Sequence, residues 1–233
     1  MIEASDYSEV GAGISLWPNA LASLDAIGVG DEVREVGEAV ASGGVQRPDG
    51  SWIRNADSSE LERALGEPML AIHRADLLGI LASHVPENAL RFNAELATFE
   101  VTADGVLAHL EDGQAVEGRA IVGADGIGSR IARWLDPTLS RTYSGYTAWR
   151  GVAPINVSNV LPSETWGRGC EFGFLPIGRD RTYWFATENV AEGSSYDPNG
   201  ERQYLQKKFE HWHKPIPILI AGTDAQNILR HDL

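Results

Sequence analysis

The stretch VGADGIGSR, Val122–Arg130, carries the strongest chemical signal in the chain and sets the reading of the fold. The residues before and within it, AIVGADG, read as a short buried strand that ends in a glycine-rich turn through Gly123, Gly126 and Gly128. SRIARWL, from Ser129, then begins a helix. A strand–glycine turn–helix presents backbone N–H groups and a helix N-terminus to an anion. Asp125 sits in the turn and is placed to accept hydrogen bonds from ribose or ribityl hydroxyls. The same residues also serve as an ordinary strand–helix connection, and residue types alone leave both readings open.

Upstream, LATFEVTADGVLAHLEDGQAVEGR places Asp104–Gly105 and Asp112–Gly113 as two tight turns between strand-like runs. The pattern predicts a three-stranded antiparallel meander leading into Val122. Further upstream, IHRADLLGILASHV reads as the clearest helix. Leu77, Leu78, Leu81 and Val85 are assigned to one face, and Pro86 is the stop. Arg74 stands at its start, where a cation opposes the helix dipole unless an anion joins it. WPNALASLDAIG predicts another helix, with Pro18 in its first turn and Gly28 at its end. DEVREVGE adds a short one, and GGVQRPDGSWIR reads as a hairpin turning at Asp49–Gly50.

Downstream, YSGYTAWRGV, WGRGCEFGFLPIG and RTYWFA alternate aromatic and glycine residues, predicting three or four strands of a larger sheet. Their aromatics include Trp149, Trp166, Phe172, Phe174, Tyr183, Trp184 and Phe185, candidates for either an apolar pocket or ordinary core. ERQYLQKKFEHW predicts an amphipathic helix using Tyr204, Leu205, Phe209 and Trp212.

At the N-terminal end, Gly11, Ala12 and Gly13 imitate a dinucleotide-binding loop. The fingerprint requires a third small residue three positions after the second glycine, and Leu16 stands there. The preceding residues are mostly polar or acidic, unlike the buried strand that such a loop follows. This is therefore not the phosphate loop.

Across 233 residues the apolar fraction is 43% and the formal net charge is −14. The composition fits a core-forming globular protein of one large or two small domains. The acidity disfavours nucleic acid and anionic lipid. The single cysteine, Cys170, precludes an internal disulfide and fits a reducing, cytoplasmic setting. No secretory signal is visible, and no apolar run approaches the ~20 residues of a membrane span. His211 and His213 flank Trp212, and residues two apart on a helix point away from each other, so no metal site is assigned.

Together these segments resemble the FAD-dependent aromatic hydroxylases, the para-hydroxybenzoate and salicylate hydroxylase superfamily of flavin monooxygenases. The stretches EVGAGISLWPNALASLDAIGVGDEV, IHRADLLGIL, AIVGADGIGSRIAR, YSGYTAWRGV and TYWFA occur in the family's order. The resemblance implies an α/β fold: a Rossmann-like FAD-binding domain, incomplete here, with an interleaved mixed β-sheet substrate domain. It assigns residues 1–40, 67–139 and 228–233 to the FAD-binding part, and 41–66 and 140–227 to the substrate sheet.

The resemblance also implies roles. Gly13 and Ile14 are expected beside the isoalloxazine, Glu3 on the adenosine ribose and Arg74 near the FAD diphosphate. Leu96 is expected to border the adenine, with Asp125 and Gly126 forming the family's DG motif. Arg150, Trp166, Phe174 and Trp184 are expected in the substrate pocket. The implied activity is hydroxylation of a small aromatic or related compound with NADH or NADPH and O₂, through a flavin C4a-hydroperoxide. No catalytic acid or base is assigned. The family's G-x-G-x-x-G and GDAAH motifs are not found, which implies the middle of a monooxygenase. The competing expectation is a truncated, non-catalytic fragment with weak or no FAD binding. Substrate and oligomeric state are not legible.

Overall fold

The computed structural model describes residues 12–40, 42–56, 62–63, 66–194 and 200–233. These fall into two compact units. One holds Val85–Thr142; the other joins the described residues up to His84 with Tyr143–Leu233.

In the larger unit, β1 (Gly13–Leu16) leads into α1 (Pro18–Ala26) and α2 (Gly30–Val36). Pro18 opens α1 as expected, and Gly28 ends it with φ +81°, a left-handed conformation that glycine adopts without a Cβ clash. β2 (Glu38–Val40) and β1 both pair antiparallel with β5 (Met69–His73), which runs directly into α3 (Arg74–Ser83). Leu16, Leu21, Leu24, Val33, Ile72 and Leu77 form the core between these strands and helices. The helix starts at Arg74, as expected, because Ile72 and His73 are still paired with β1. Its inner face is Leu77, Ile80 and Leu81; Val85 is solvent-exposed beyond the helix end.

The second sheet of this unit has seven strands in the order β13-β9-β12-β11-β10-β3-β4. They are β3 (Gly43–Gln46), β4 (Trp52–Ala56), β9 (Thr147–Ala153), β10 (Ser163–Gly167), β11 (Cys170–Pro176), β12 (Thr182–Glu188) and β13 (Leu229–Asp232). Pairing is antiparallel except between β3 and β10, so the sheet is mixed. The predicted hairpin through Asp49–Gly50 is β3–β4, and the aromatic-rich strands are β9 to β12. α5 (Glu201–Lys208) and α6 (Ile216–Gly222) cover one face with Leu205, Phe209, Leu219 and Ile220. These helices pack on Trp149, Phe172, Phe174 and Trp184. Phe172 stacks on Trp184 at 5.4 Å and meets Phe209 edge-on at 5.4 Å, geometries that add to burial energy.

The smaller unit contains the predicted meander: β6 (Leu96–Val101), β7 (Val106–Leu110) and β8 (Ala115–Gly118). Its turns fall where the Asp–Gly pairs stand. α4 (Arg130–Leu135) follows, and Trp134 meets Phe99 at 5.1 Å. Arg130 ties α4 to the meander through Glu95 at 2.9 Å, Glu111 at 3.3 Å and the Ala97 carbonyl at 3.3 Å.

One local prediction is corrected here. Residues 120–125 form neither a strand nor a buried segment, and Val122 is 86% exposed. A strand needs a neighbouring ladder to satisfy its N–H and C=O groups. Among the described residues nothing pairs with this segment.

Candidate active site

A cavity of about 800 Å³ opens in the larger unit between β1, the N-terminus of α3 and one face of the seven-stranded sheet. Its size is that of a small-molecule site. Gly13, Ile14, Arg74 and Arg150, all singled out in the sequence, line it. β1–β5 pairing explains the first three. Gly13 is directly opposite His73, and the Arg74 N–H extends the ladder to the Ala12 carbonyl at 2.9 Å. The helix start is fixed by His73, whose Nδ1 accepts the Ala75 N–H at 3.1 Å. Burial, then the nearby Arg181 charge, pushes the His73 pKa below its ordinary value, with Asp76 opposing; the neutral ring can therefore keep accepting.

Strand alternation decides which side chains of the large sheet reach the cavity. On β12, Tyr183 and Phe185 face it; Trp184 faces the helices. Trp184 is fully buried and donates Nε1–H to Thr223 Oγ1 at 2.8 Å. The expected pocket residue Trp184 is thus a core residue. Tyr183 is one of several aromatics in the sequence; as the immediate neighbour of a buried Trp184 on a strand, it must face the opposite side. Phe174 borders the cavity, though its buried side chain belongs to the core. Trp166 is outside the lining. It is 49% exposed and directs Nε1–H to Glu164 at 3.3 Å.

Two glycines make the wall close-fitting. A Cβ on Gly13 would lie 2.5 Å from Tyr183 Cγ, and one on Gly173 would lie 2.3 Å from Phe185 Cε1. Each ring therefore rests on bare backbone. Burial raises the Tyr183 pKa, and the adjacent Arg150 guanidinium partly offsets the rise. The phenol stays protonated at neutral pH and is a hydrogen-bond donor.

The smaller unit has its own cavity of about 510 Å³, lined by Leu96, Gly123, Asp125, Gly128, Arg130 and Ile131 among others. Asp125 is engaged: its Oδ2 accepts the Arg130 N–H at 2.8 Å. A hydrogen bond from Ser129 and that backbone contact hold its pKa below the usual carboxylate range. Part of its hydrogen-bonding capacity thus fixes the start of α4. Gly126 has φ +71°, which explains the glycine, and is not part of the lining. Glu3 lies outside the described residues.

In sequence and in fold the chain is similar to FAD-dependent monooxygenases. Over 226 residues the chain is 38% identical to aurachin C monooxygenase/isomerase of Stigmatella aurantiaca, covering 96% of this chain and 59% of that protein. It is 28% identical over 242 residues to FAD-dependent urate hydroxylase of Klebsiella pneumoniae, covering 98% and 62%. The Klebsiella pneumoniae HpxO crystal structure with FAD and uric acid superposes with TM-score 0.88 at 25% identity, covering 98% of this chain and 60% of that one. No family model matches the chain. The chain thus spans about three fifths of the length of these relatives. Its resemblance to the FAD-dependent monooxygenases extends over nearly all of its own sequence. No helix among the described residues is long and apolar enough to cross a membrane.

Proposed function

We propose that this chain supplies the substrate-binding sheet and part of the FAD-binding domain of a monooxygenase that hydroxylates a small aromatic compound with NAD(P)H and O₂. The observation that carries this reading is the larger cavity, where Gly13, Ile14 and Arg74 meet Arg150 and Tyr183. The residues suit a flavin. Gly13 seats the Tyr183 ring in the cavity wall, Ile14 offers an apolar edge, and Arg74 brings positive charge for a diphosphate. In the smaller unit's own cavity, Leu96 supplies an apolar surface suited to an adenine and Asp125 a carboxylate.

When bound, FAD would supply the redox chemistry and oxygen activation; the protein supplies position and dryness. Tyr183 donates a hydrogen bond, Arg150 supplies positive charge, and Phe185 excludes water from the face between them. No side chain is assigned to proton transfer. In this reading residues 41–66 and 140–227 serve substrate, and 1–40, 67–139 and 228–233 serve FAD.

The test is reconstitution. Purified chain is mixed with FAD, and flavin absorbance after gel filtration is measured. NADH and NADPH oxidation and O₂ uptake are then followed with a panel of hydroxylated aromatics. Retained flavin with substrate-stimulated O₂ uptake supports the proposal. No retained flavin and no stimulation by any aromatic overturns it for this chain.

A further inference from the structure

One transverse row of the seven-stranded sheet runs straight along the cavity floor. Glu164 on β10 pairs with Gly173 on β11, Gly173 with Phe185 on β12, and Phe185 with Arg150 on β9. Directly paired residues share a face, so all four point to the cavity side. Glu164, Phe185 and Arg150 line the cavity itself. Among its described lining residues the charged ones are Glu164, Arg150 and Arg74, and Arg74 belongs to the opposite wall at the start of α3. The floor therefore has a carboxylate at one end and a guanidinium at the other. Three strand spacings put about 14 Å between their Cα atoms.

What lies between the two charges is flat and apolar. Gly173 contributes no side chain, and the Phe185 ring leans over it. The Tyr183 hydroxyl reinforces the Arg150 end as a donor, because its raised pKa keeps it protonated. Glu171, whose pKa is raised by burial and by the Glu164 charge, neighbours Glu164 at the other end. Glu164 and Arg150 are too far apart to satisfy each other directly. Glu164 accepts Trp166 Nε1–H at 3.3 Å and Arg150 lies against the Tyr183 hydroxyl, and both keep further hydrogen-bonding capacity toward the floor.

We propose that the cavity selects a flat, bipolar aromatic: an acidic or carbonyl oxygen directed to Arg150 and Tyr183, and an N–H or amine donor at the far end directed to Glu164. This rests on the monooxygenase reading for its consequence, since it names the substrate class, but the binding claim stands on the floor alone. A ligand with only one of the two groups engages only one of the two charges and forgoes one charge-assisted hydrogen bond.

The experiment measures binding of 6-amino-2-naphthoate, 2-naphthoate and 2-aminonaphthalene to the full chain, with and without FAD, by ligand fluorescence anisotropy. The expected order has the bipolar probe at least tenfold tighter than either monopolar one. Arg150→Gln should weaken both acids tenfold or more, and Arg150→Lys should recover part of that loss. Glu164→Gln should weaken 6-amino-2-naphthoate and leave 2-naphthoate unchanged or tighter. Circular dichroism checks that each variant is folded; if one is not, the comparison of the three probes on the wild-type chain decides.

Equal binding of the three probes, binding indifferent to both substitutions, or no binding of any probe overturns the proposal. Discriminating binding with no flavin retention or turnover would leave the bipolar floor standing and sink the monooxygenase reading. Flavin-dependent turnover without discrimination would do the reverse.

Discussion

The ring of Tyr183 occupies the space immediately beside Gly13, so that a methyl group on Gly13 would sit 2.5 Å from Cγ and 2.6 Å from Cβ of the tyrosine. Gly13 is on β1 and Tyr183 on β12, strands of different sheets. This contact joins the β1–β5 edge of the cavity to its floor. Gly13→Ala should therefore destabilise the larger unit by about 1–3 kcal/mol, the usual cost of overpacking. Tyr183→Ala should relieve most of that strain, giving a clear non-additive double-mutant cycle. Urea unfolding of the four proteins measures it; additive effects would mean the two residues do not press on each other.

Trp184 and Tyr183 are neighbours in sequence but opposite in consequence. Trp184→Phe removes the buried bond to Thr223 Oγ1 and leaves space against α6, while Thr223 keeps its bond to the Leu219 carbonyl. A loss of about 1–3 kcal/mol is expected. Ligand affinity should stay within twofold, because the indole faces away from the cavity. Tyr183→Phe should behave the other way, with nearly unchanged stability and weaker binding of oxygen-bearing ligands. Paired thermal melts and binding titrations separate the two.

The parity that distinguishes these residues was available in the sequence. TYWFA is a strand, and a strand has two faces. What the sequence did not contain was which face the helices α5 and α6 would cover, because that depends on a long-range packing choice. The helices, the hairpin at Asp49–Gly50 and the meander were legible because turn chemistry and periodicity are local. The segment 120–125 was misread for the complementary reason. Ala120, Ile121 and Val122 have strand composition, but a strand is made by its neighbours, and none of the described residues pairs with them. Gly13, Ile14, Arg74 and Arg150 do line one cavity. Glu164 is not legible because nothing local marks a carboxylate on an interior strand as cavity-lining; only the register across β10, β11, β12 and β9 does.

His73 gives the larger unit a pH dependence of definite sign. Its neutral Nδ1 caps α3, and its folded pKa is depressed by burial and by Arg181. The unfolded chain therefore takes up the proton first as pH falls. The contribution is fully present above the unfolded value, near 6.5, and is lost as pH drops through the depressed folded value. The urea midpoint should fall between pH 7.5 and 5 more steeply in the wild type than in His73→Asn, whose side chain can cap without titrating. Identical pH profiles would remove His73 as the source.

Gly173 occupies the middle of the charged row, and its missing side chain is what lets Phe185 lie flat. A Cβ there would meet Phe185 Cε1 at 2.3 Å and Cζ at 2.4 Å. The ring cannot retreat into the sheet, so Gly173→Ala should tilt it up into the cavity. The overpacking cost is again about 1–3 kcal/mol if the ring is trapped, and less if it swings freely into the open volume. The functional expectation is sharper. A raised Phe185 shortens the clear floor between Glu164 and Arg150, so a two-ring ligand should lose at least tenfold in affinity. A one-ring acid such as benzoate, which needs only the Arg150 end, should lose much less. Titrating 6-amino-2-naphthoate and benzoate against Gly173→Ala gives the comparison. Equal losses for both would show that the ring blocks the Arg150 end as well, and that the row does not act as an extended floor.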